Sequence, residues 1–154
     1  MSRRLRWFGA LGMAGVALLG LARVGRSGES LWDDLYRSAW AGIYTAGQAS
    51  EGEAIYHERC ASCHGASLEG SEYAPPLRGR DFTLDWDWGN MADLFEKIQY
   101  TMPRNRSGAL SENQVADVLS YILQENRFPA GGSALPQDVD ELRGVLFLAD
   151  KPRR

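Results

Sequence analysis

Cys60-Ala61-Ser62-Cys63-His64 uses both cysteines of the chain and one of its two histidines in a single C-x-x-C-H run. That spacing is the attachment pattern of c-type haem. Two thiols three positions apart lie about one helical turn from each other, so both can bond neighbouring vinyl groups along one edge of a porphyrin. A ring fixed at that edge hangs beside the helix, and His64 projects on the same side to offer a ring nitrogen to the iron. A redox disulfide and a zinc half-site are the competing readings. The first wants a βαβ context that the chain lacks, and the second wants more ligands than the remaining histidine, His57, can supply.

A chain of 154 residues with moderate apolar content can bury one core but hardly two, and a covalently held haem would supply much of it. Arg3, Arg4 and Arg6 precede an uncharged run from Trp7 to Ala22 that ends in the small pair Gly20 and Ala22, the pattern of an export signal over residues 1–22. The run is 16 residues long. At about 1.5 Å per residue it spans roughly 24 Å, short of a hydrocarbon core of about 30 Å, which favours cleavage after Ala22 over a retained anchor. Either way the domain is expected in the periplasm, tethered to the inner membrane only if the segment is kept. The formal charge is −3, and loss of those three arginines takes it to −6, so nucleic acid and anionic lipid are poor partners.

Residues 23–49 read as a linker and N-terminal extension, in which Leu31, Trp32, Leu35, Tyr36, Ala39 and Trp40 recur at helical steps. The domain proper is expected over 50–130. Ser50 and Glu53 form a capping box that starts a helix near Glu51 and carries it to Cys60. Asn90 caps a second helix with Met91, Leu94, Phe95 and Ile98 on one face. Ser111 and Gln114 open a third, lined by Val115, Val118, Leu119, Ile122 and Leu123 and ended by Asn126 and Pro129. Residues 131–154, with the apolar run Val145-Leu146-Phe147-Leu148, form a tail expected to pack on the domain.

In this order of elements the chain resembles the class I cytochromes c. The likeness rests on Gly52 and Tyr56 ahead of Cys60–His64, the loop Pro75-Pro76-Leu77, Met102-Pro103, and Tyr121 on the last helix. Gly42-Ile43-Tyr44-Thr45 and Asn126-Arg127-Phe128-Pro129-Ala130-Gly131 are similar to runs in small exported bacterial members. The resemblance implies an all-α cytochrome c fold of three to five short helices around the haem, with the first and last helices crossing where Gly52 and Tyr56 meet Val118 and Tyr121. It also implies a hydrogen bond from His64 to a proline carbonyl, for which Pro76 is the choice and Pro75 the neighbour. Trp86 would contact a haem propionate, with Trp88 as competitor, and Arg78 and Arg80 would either neutralise propionates or face solvent.

The sixth iron ligand falls to Met102, by elimination as well as by resemblance. Pro103 disfavours helix at Met102 and holds it extended or in a turn, as a loop across the distal face requires. Met1 is the start, Met13 lies in the export segment and Met91 in an apolar stripe. His57 precedes Cys60 by one turn on the proximal side and would have to thread around the ring to reach the other face.

With His64 and Met102 filling both axial positions, the iron has no open place for substrate. The expectation is single-electron transfer by a protein that is not an enzyme, working between redox partners such as a dehydrogenase and a terminal oxidase. The alternative is a cytochrome subunit or dedicated acceptor of an exported, quinoprotein-type dehydrogenase. A haem enzyme or gas sensor would need a vacant iron position. Attachment is tested directly: replacing Cys60 and Cys63 together by alanine should leave all haem extractable into acidified butanone, whereas each single variant should keep it covalently bound through one thioether. Full extraction from the unaltered protein would refute attachment.

Overall fold

The computed structural model describes residues 37–153, so the segment read as an export signal, most of the linker stripe (Leu31, Trp32, Leu35 and Tyr36) and Arg154 lie outside the described residues. Among the described residues six α-helices carry the fold, one more than the three to five expected: α1 (Ala46–Arg59), α2 (Ala61–His64), α3 (Arg80–Asp85), α4 (Met91–Thr101), α5 (Glu112–Glu125) and α6 (Val139–Arg143). Two short strands, β1 (Arg37–Ser38) and β2 (Val145–Leu146), pair in parallel with Arg37 opposite Val145. The all-α cytochrome c architecture expected from the sequence is the one observed. Ala39–Ala41 forms a 3-10 turn instead of continuing the helical stripe read into the linker.

Helix α1 begins earlier than the Ser50–Glu53 pair suggests. Thr45, in extended conformation, caps it by accepting from the Gln48 amide at 3.1 Å. Ser50 and Glu53 are exposed positions inside the helix. Gln48 does not close a box with Thr45. Its side chain instead pairs with the Leu135 backbone, accepting from the amide at 2.7 Å and donating to the carbonyl at 3.3 Å. A tertiary contact with the tail thus occupies the group that would have marked the start locally.

The other two caps stand where the sequence puts them. Asn90 accepts from the Asp93 amide at 3.0 Å, and Ser111 and Gln114 form a reciprocal box at the head of α5. Met91, Leu94, Phe95 and Ile98 of α4 are all buried. Helix α5 is buried on more than its predicted stripe, since Ala116, Ser120 and Tyr121 are covered too. It lies centrally, packed against both α1 and α4.

Where α1 crosses α5, a Cβ on Gly52 would collide with the backbone carbonyl of Asp117. Only glycine permits that approach. The expected meeting of glycine with an aromatic is therefore a meeting of glycine with backbone, and the aromatic pair is Tyr56 with Tyr121, centroids 5.4 Å apart.

The two flanking runs close on each other. Gly42 sits at φ +71°, a Cβ on Gly131 would collide with the Gly42 carbonyl, and the Gly131 amide donates to the Tyr44 carbonyl at 2.7 Å. The Tyr44 hydroxyl donates to the Phe128 carbonyl at 2.6 Å. Beyond this joint the tail contributes Leu135, Leu142, Val145 and Phe147 to the core. Phe147 exchanges backbone bonds with Trp88 and Gly89, and the Trp40 indole donates to the Leu148 carbonyl at 2.8 Å. Among the described residues no helix is long and apolar enough to cross a membrane.

The crossing yields a stability prediction. Gly52→Ala should destabilise by about 1–3 kcal/mol, because the backbone of α5 cannot move aside cheaply. Gly132→Ala, where an added Cβ meets nothing within 4 Å, should stay within about 0.5 kcal/mol. Thermal unfolding followed by circular dichroism measures both; equal melting temperatures would refute the close approach.

Candidate functional site

The chain leaves α1 at Cys60, whose φ of −121° breaks the helix before α2 resumes it. The Cys60 carbonyl accepts from the amides of Cys63 at 3.1 Å and His64 at 3.0 Å, so both thiols and the imidazole belong to one tight turn. Gly65 at φ +84° ends it, in a backbone conformation that side chains disfavour. The three carbonyls that follow are each engaged. Ser71 Oγ donates to Cys63 at 2.5 Å, the Gly70 amide to His64 at 2.7 Å and the Tyr56 hydroxyl to Gly65 at 2.7 Å.

His64 is buried, and its Nδ1 lies 2.8 Å from the Pro75 carbonyl. The proline partner is thus Pro75 and not Pro76. The loop is closed around it by bonds from the Ser71 amide to the Ala74 carbonyl and from the Leu77 amide to the Leu68 carbonyl, which aim the Pro75 oxygen at the ring. A carbonyl only accepts, so Nδ1 carries the proton and Nε2 keeps its lone pair for a metal. That donor set suits haem iron on the proximal side.

Cys60 and Cys63 are not joined to each other in a disulfide. Burial, together with the neighbouring Cys63, pushes Cys60 up to about 11. A redox-active dithiol needs the opposite shift. Among the described residues no three His, Cys, Asp or Glu side chains gather as a metal cluster, which removes the zinc reading. His57 is half-exposed beside Glu53, 4.0 Å away, where it serves as a surface residue of α1. One covalently attached haem c is the cofactor that this motif takes.

Met102 follows α4 directly, extended at φ −122° and ψ 154°, with its amide making the last bond of the helix to Ile98 at 3.1 Å. It is partly buried against the core, whereas Met91 is wholly buried within it. The loop after Met102 folds back on α4: the Arg106 amide donates to Pro103 at 2.8 Å and the Gln99 side chain to the Leu110 carbonyl at 3.2 Å. Trp86 ends α3 and is partly buried, while Trp88 is 76% exposed, so Trp86 is the sheltered indole. Arg78 pairs with Glu125 at 3.6 Å and Arg80 with Asp150 at 2.8 Å, so each arginine has a carboxylate partner within the protein.

Sequence reasoning missed the groups that hold this site. Asn126, read only as a helix stop, donates to the Leu77 carbonyl at 2.8 Å and accepts from the Gly79 amide at 3.0 Å, which ties the proline loop to α5. The Tyr56 hydroxyl and Ser71 were passed over as well. A tyrosine where a helix face must be buried is itself a signal, because its hydroxyl needs a partner.

Residues 47–122 match the family model described as cytochrome c oxidase, cbb3-type, subunit III. Thiosulfate dehydrogenase of Allochromatium vinosum is 34% identical over 83 residues, covering 49% of this chain and 31% of that protein. The cbb3-type cytochrome c oxidase subunit CcoP of Azospirillum brasilense is 29% identical over 93 residues, covering 49% of this chain and 30% of that one. The chain thus spans about a third of the length of the curated relatives it matches. The solved sulfane dehydrogenase SoxCD of Paracoccus pantotrophus shares the fold, with TM-score 0.50 at 20% identity over 81% of this chain and 68% of that one.

The expectation of an electron-transfer protein that is not an enzyme is overturned here, since the first relative is itself a dehydrogenase. The physical reason is that a closed iron excludes chemistry only at that iron; it says nothing of a centre supplied elsewhere in a longer protein or complex. From motif, fold and comparison together, this chain carries a small c-type haem-binding cytochrome domain for electron transfer, similar over residues 47–122 to subunit III of cbb3-type oxidases.

Proposed function

We propose that the chain is the haem-bearing part of an exported redox complex, relaying single electrons to or from an enzyme, and not a free-standing class I carrier. The observation that carries this reading is the likeness to segments of larger redox proteins, of which the chain spans 31% and 30%. The family model supports an oxidase as the enzyme, and the 34% identical relative supports a dehydrogenase. The basic and then uncharged stretch up to Ala22 supports a periplasmic location.

Haem c, when bound, supplies a one-electron iron couple. Cys60 and Cys63 would anchor it, His64 Nε2 would hold the iron from the proximal side and Met102 from the distal side. Pro75, by accepting from Nδ1, fixes the ring and makes it a stronger donor. A thioether ligand shifts the couple upward relative to two imidazoles. Trp86, partly buried at the end of α3, would donate its indole N–H to a propionate. The buried apolar residues of α4 and α5 would keep water from a bound haem and so make charging its iron costlier than in water.

Two measurements test this. The oxidised protein should show the weak far-red charge-transfer band of methionine ligation, and Met102→Ala should abolish it and let the reduced protein bind carbon monoxide. A surviving band removes Met102 from the site. Purification of the chain from its native periplasmic and membrane fractions should bring an oxidase or dehydrogenase with it in stoichiometric amount; a monomer in the soluble fraction would refute the complex.

A further inference from the structure

The carbonyls of Cys63, His64 and Gly65 are held by Ser71, Gly70 and Tyr56; His64 and Gly65 also take backbone bonds, from the Gly70 amide at 2.7 Å and the Leu68 amide at 3.3 Å, whereas the shorter contacts to Cys63 and Gly65 come from side-chain hydroxyls. We propose that Tyr56 and Ser71 are positioning residues: by fixing the backbone on both sides of His64 they set the orientation of its ring, and through it the reduction potential of the haem. The proposal rests on the reading that His64 ligates the iron.

The ring is oriented by one bond, from Nδ1 to the Pro75 carbonyl, and that bond joins two separate stretches of chain. It keeps its length only while the turn 60–65 and the loop 70–75 stay in register. Beside the Gly70 amide bond to the His64 carbonyl, Ser71 supplies the register between them. Its Oγ donates to Cys63 in the turn at 2.5 Å, and its amide donates at 2.8 Å to Ala74, the residue before Pro75. Tyr56 supplies the reference on the other side. Its hydroxyl holds Gly65, and Tyr56 itself stands fully buried on α1, four residues after the glycine that locks α1 on α5. Burial keeps the phenol well above its usual range, so it remains a proton donor under all ordinary conditions.

Removing the Ser71 hydroxyl frees the Cys63 carbonyl, and removing the Tyr56 hydroxyl leaves Gly65 with only the longer bond from the Leu68 amide at 3.3 Å; either change loosens the turn against the loop. The Nδ1–Pro75 contact then lengthens, and the imidazole gives less electron density to the iron. Ferric iron needs that density more than ferrous iron does, so the potential rises. A tyrosine that merely fills space would have no such effect.

The experiment compares Tyr56→Phe, Ser71→Ala and Ser71→Thr with the unaltered haem-loaded protein by spectroelectrochemical titration. Tyr121→Phe is the control, since that ring packs on Tyr56 without bonding the turn. Tyr56→Phe and Ser71→Ala should each favour the reduced form about threefold, about 28 mV at 59 mV per tenfold change. Ser71→Thr, which keeps the hydroxyl, and Tyr121→Phe should leave the potential in place. Lower melting temperatures with unchanged potentials would show a purely structural role and overturn the proposal. Ser71 is exposed, so its variant reports even if Tyr56→Phe folds poorly. Failure of the underlying reading would show separately, as an unaltered protein without the low-spin spectrum of histidine ligation.

Discussion

Backbone against backbone, at Gly52 on α1 and Asp117 on α5, is the contact on which the rest of the molecule is hung. Helix α1 is mostly polar and buries only Ala49, Gly52 and Tyr56, so it has little apolar area with which to hold a partner at ordinary distance. Two small residues let it come close enough for dispersion to replace area. Because α1 runs straight into the haem motif, and α5 carries Tyr121 and is capped by Asn126, the crossing places attachment site and proline loop on a common frame.

From that frame the site is assembled by hydrogen bonds more than by packing. The turn 60–65 is short, ends on a left-handed glycine and has few apolar side chains of its own. Its order comes from carbonyls claimed by the loop 70–75 and by Tyr56, while Asn126 claims the next stretch of loop at Leu77 and Gly79. Each such bond contributes only about 1 kcal/mol net, but leaving any of these groups unpaired where water cannot reach would cost more than that. The stiffness of the proximal side is thus a matter of satisfied backbone rather than of bulk.

Much of this was legible in the sequence, and the parts that were not share a cause. The C-x-x-C-H run, the Asn90 and Ser111 caps and the stripes of α4 and α5 are local signals, and the structure keeps them. The start of α1 differs because Thr45–Gln48 and Ser50–Glu53 carry the same capping signature five residues apart, and the choice falls to Thr45, with the Gln48 side chain held by Leu135, 87 residues away. Pro75 and Pro76 are adjacent and chemically alike; which carbonyl faces His64 depends on loop closure by Leu68 and Ala74. The runs around Tyr44 and Phe128 carried a family likeness but no hint that they touch. The reading of a non-enzymatic carrier failed for another reason, since ligation at one iron does not reveal what surrounds the domain.

The parallel pairing of β1 with β2 has a mechanical side. Arg37 leads the first strand and Leu146 ends the second, so tension applied between the upstream chain and the tail would pull the two strands past each other lengthwise. Bonds loaded in this shearing direction yield together, whereas those of a hairpin unzip one at a time. The strands are short, but the Trp40–Leu148 bond extends the same seam. A domain pulled from both ends would therefore load this seam in shear, together with the Trp40–Leu148 bond.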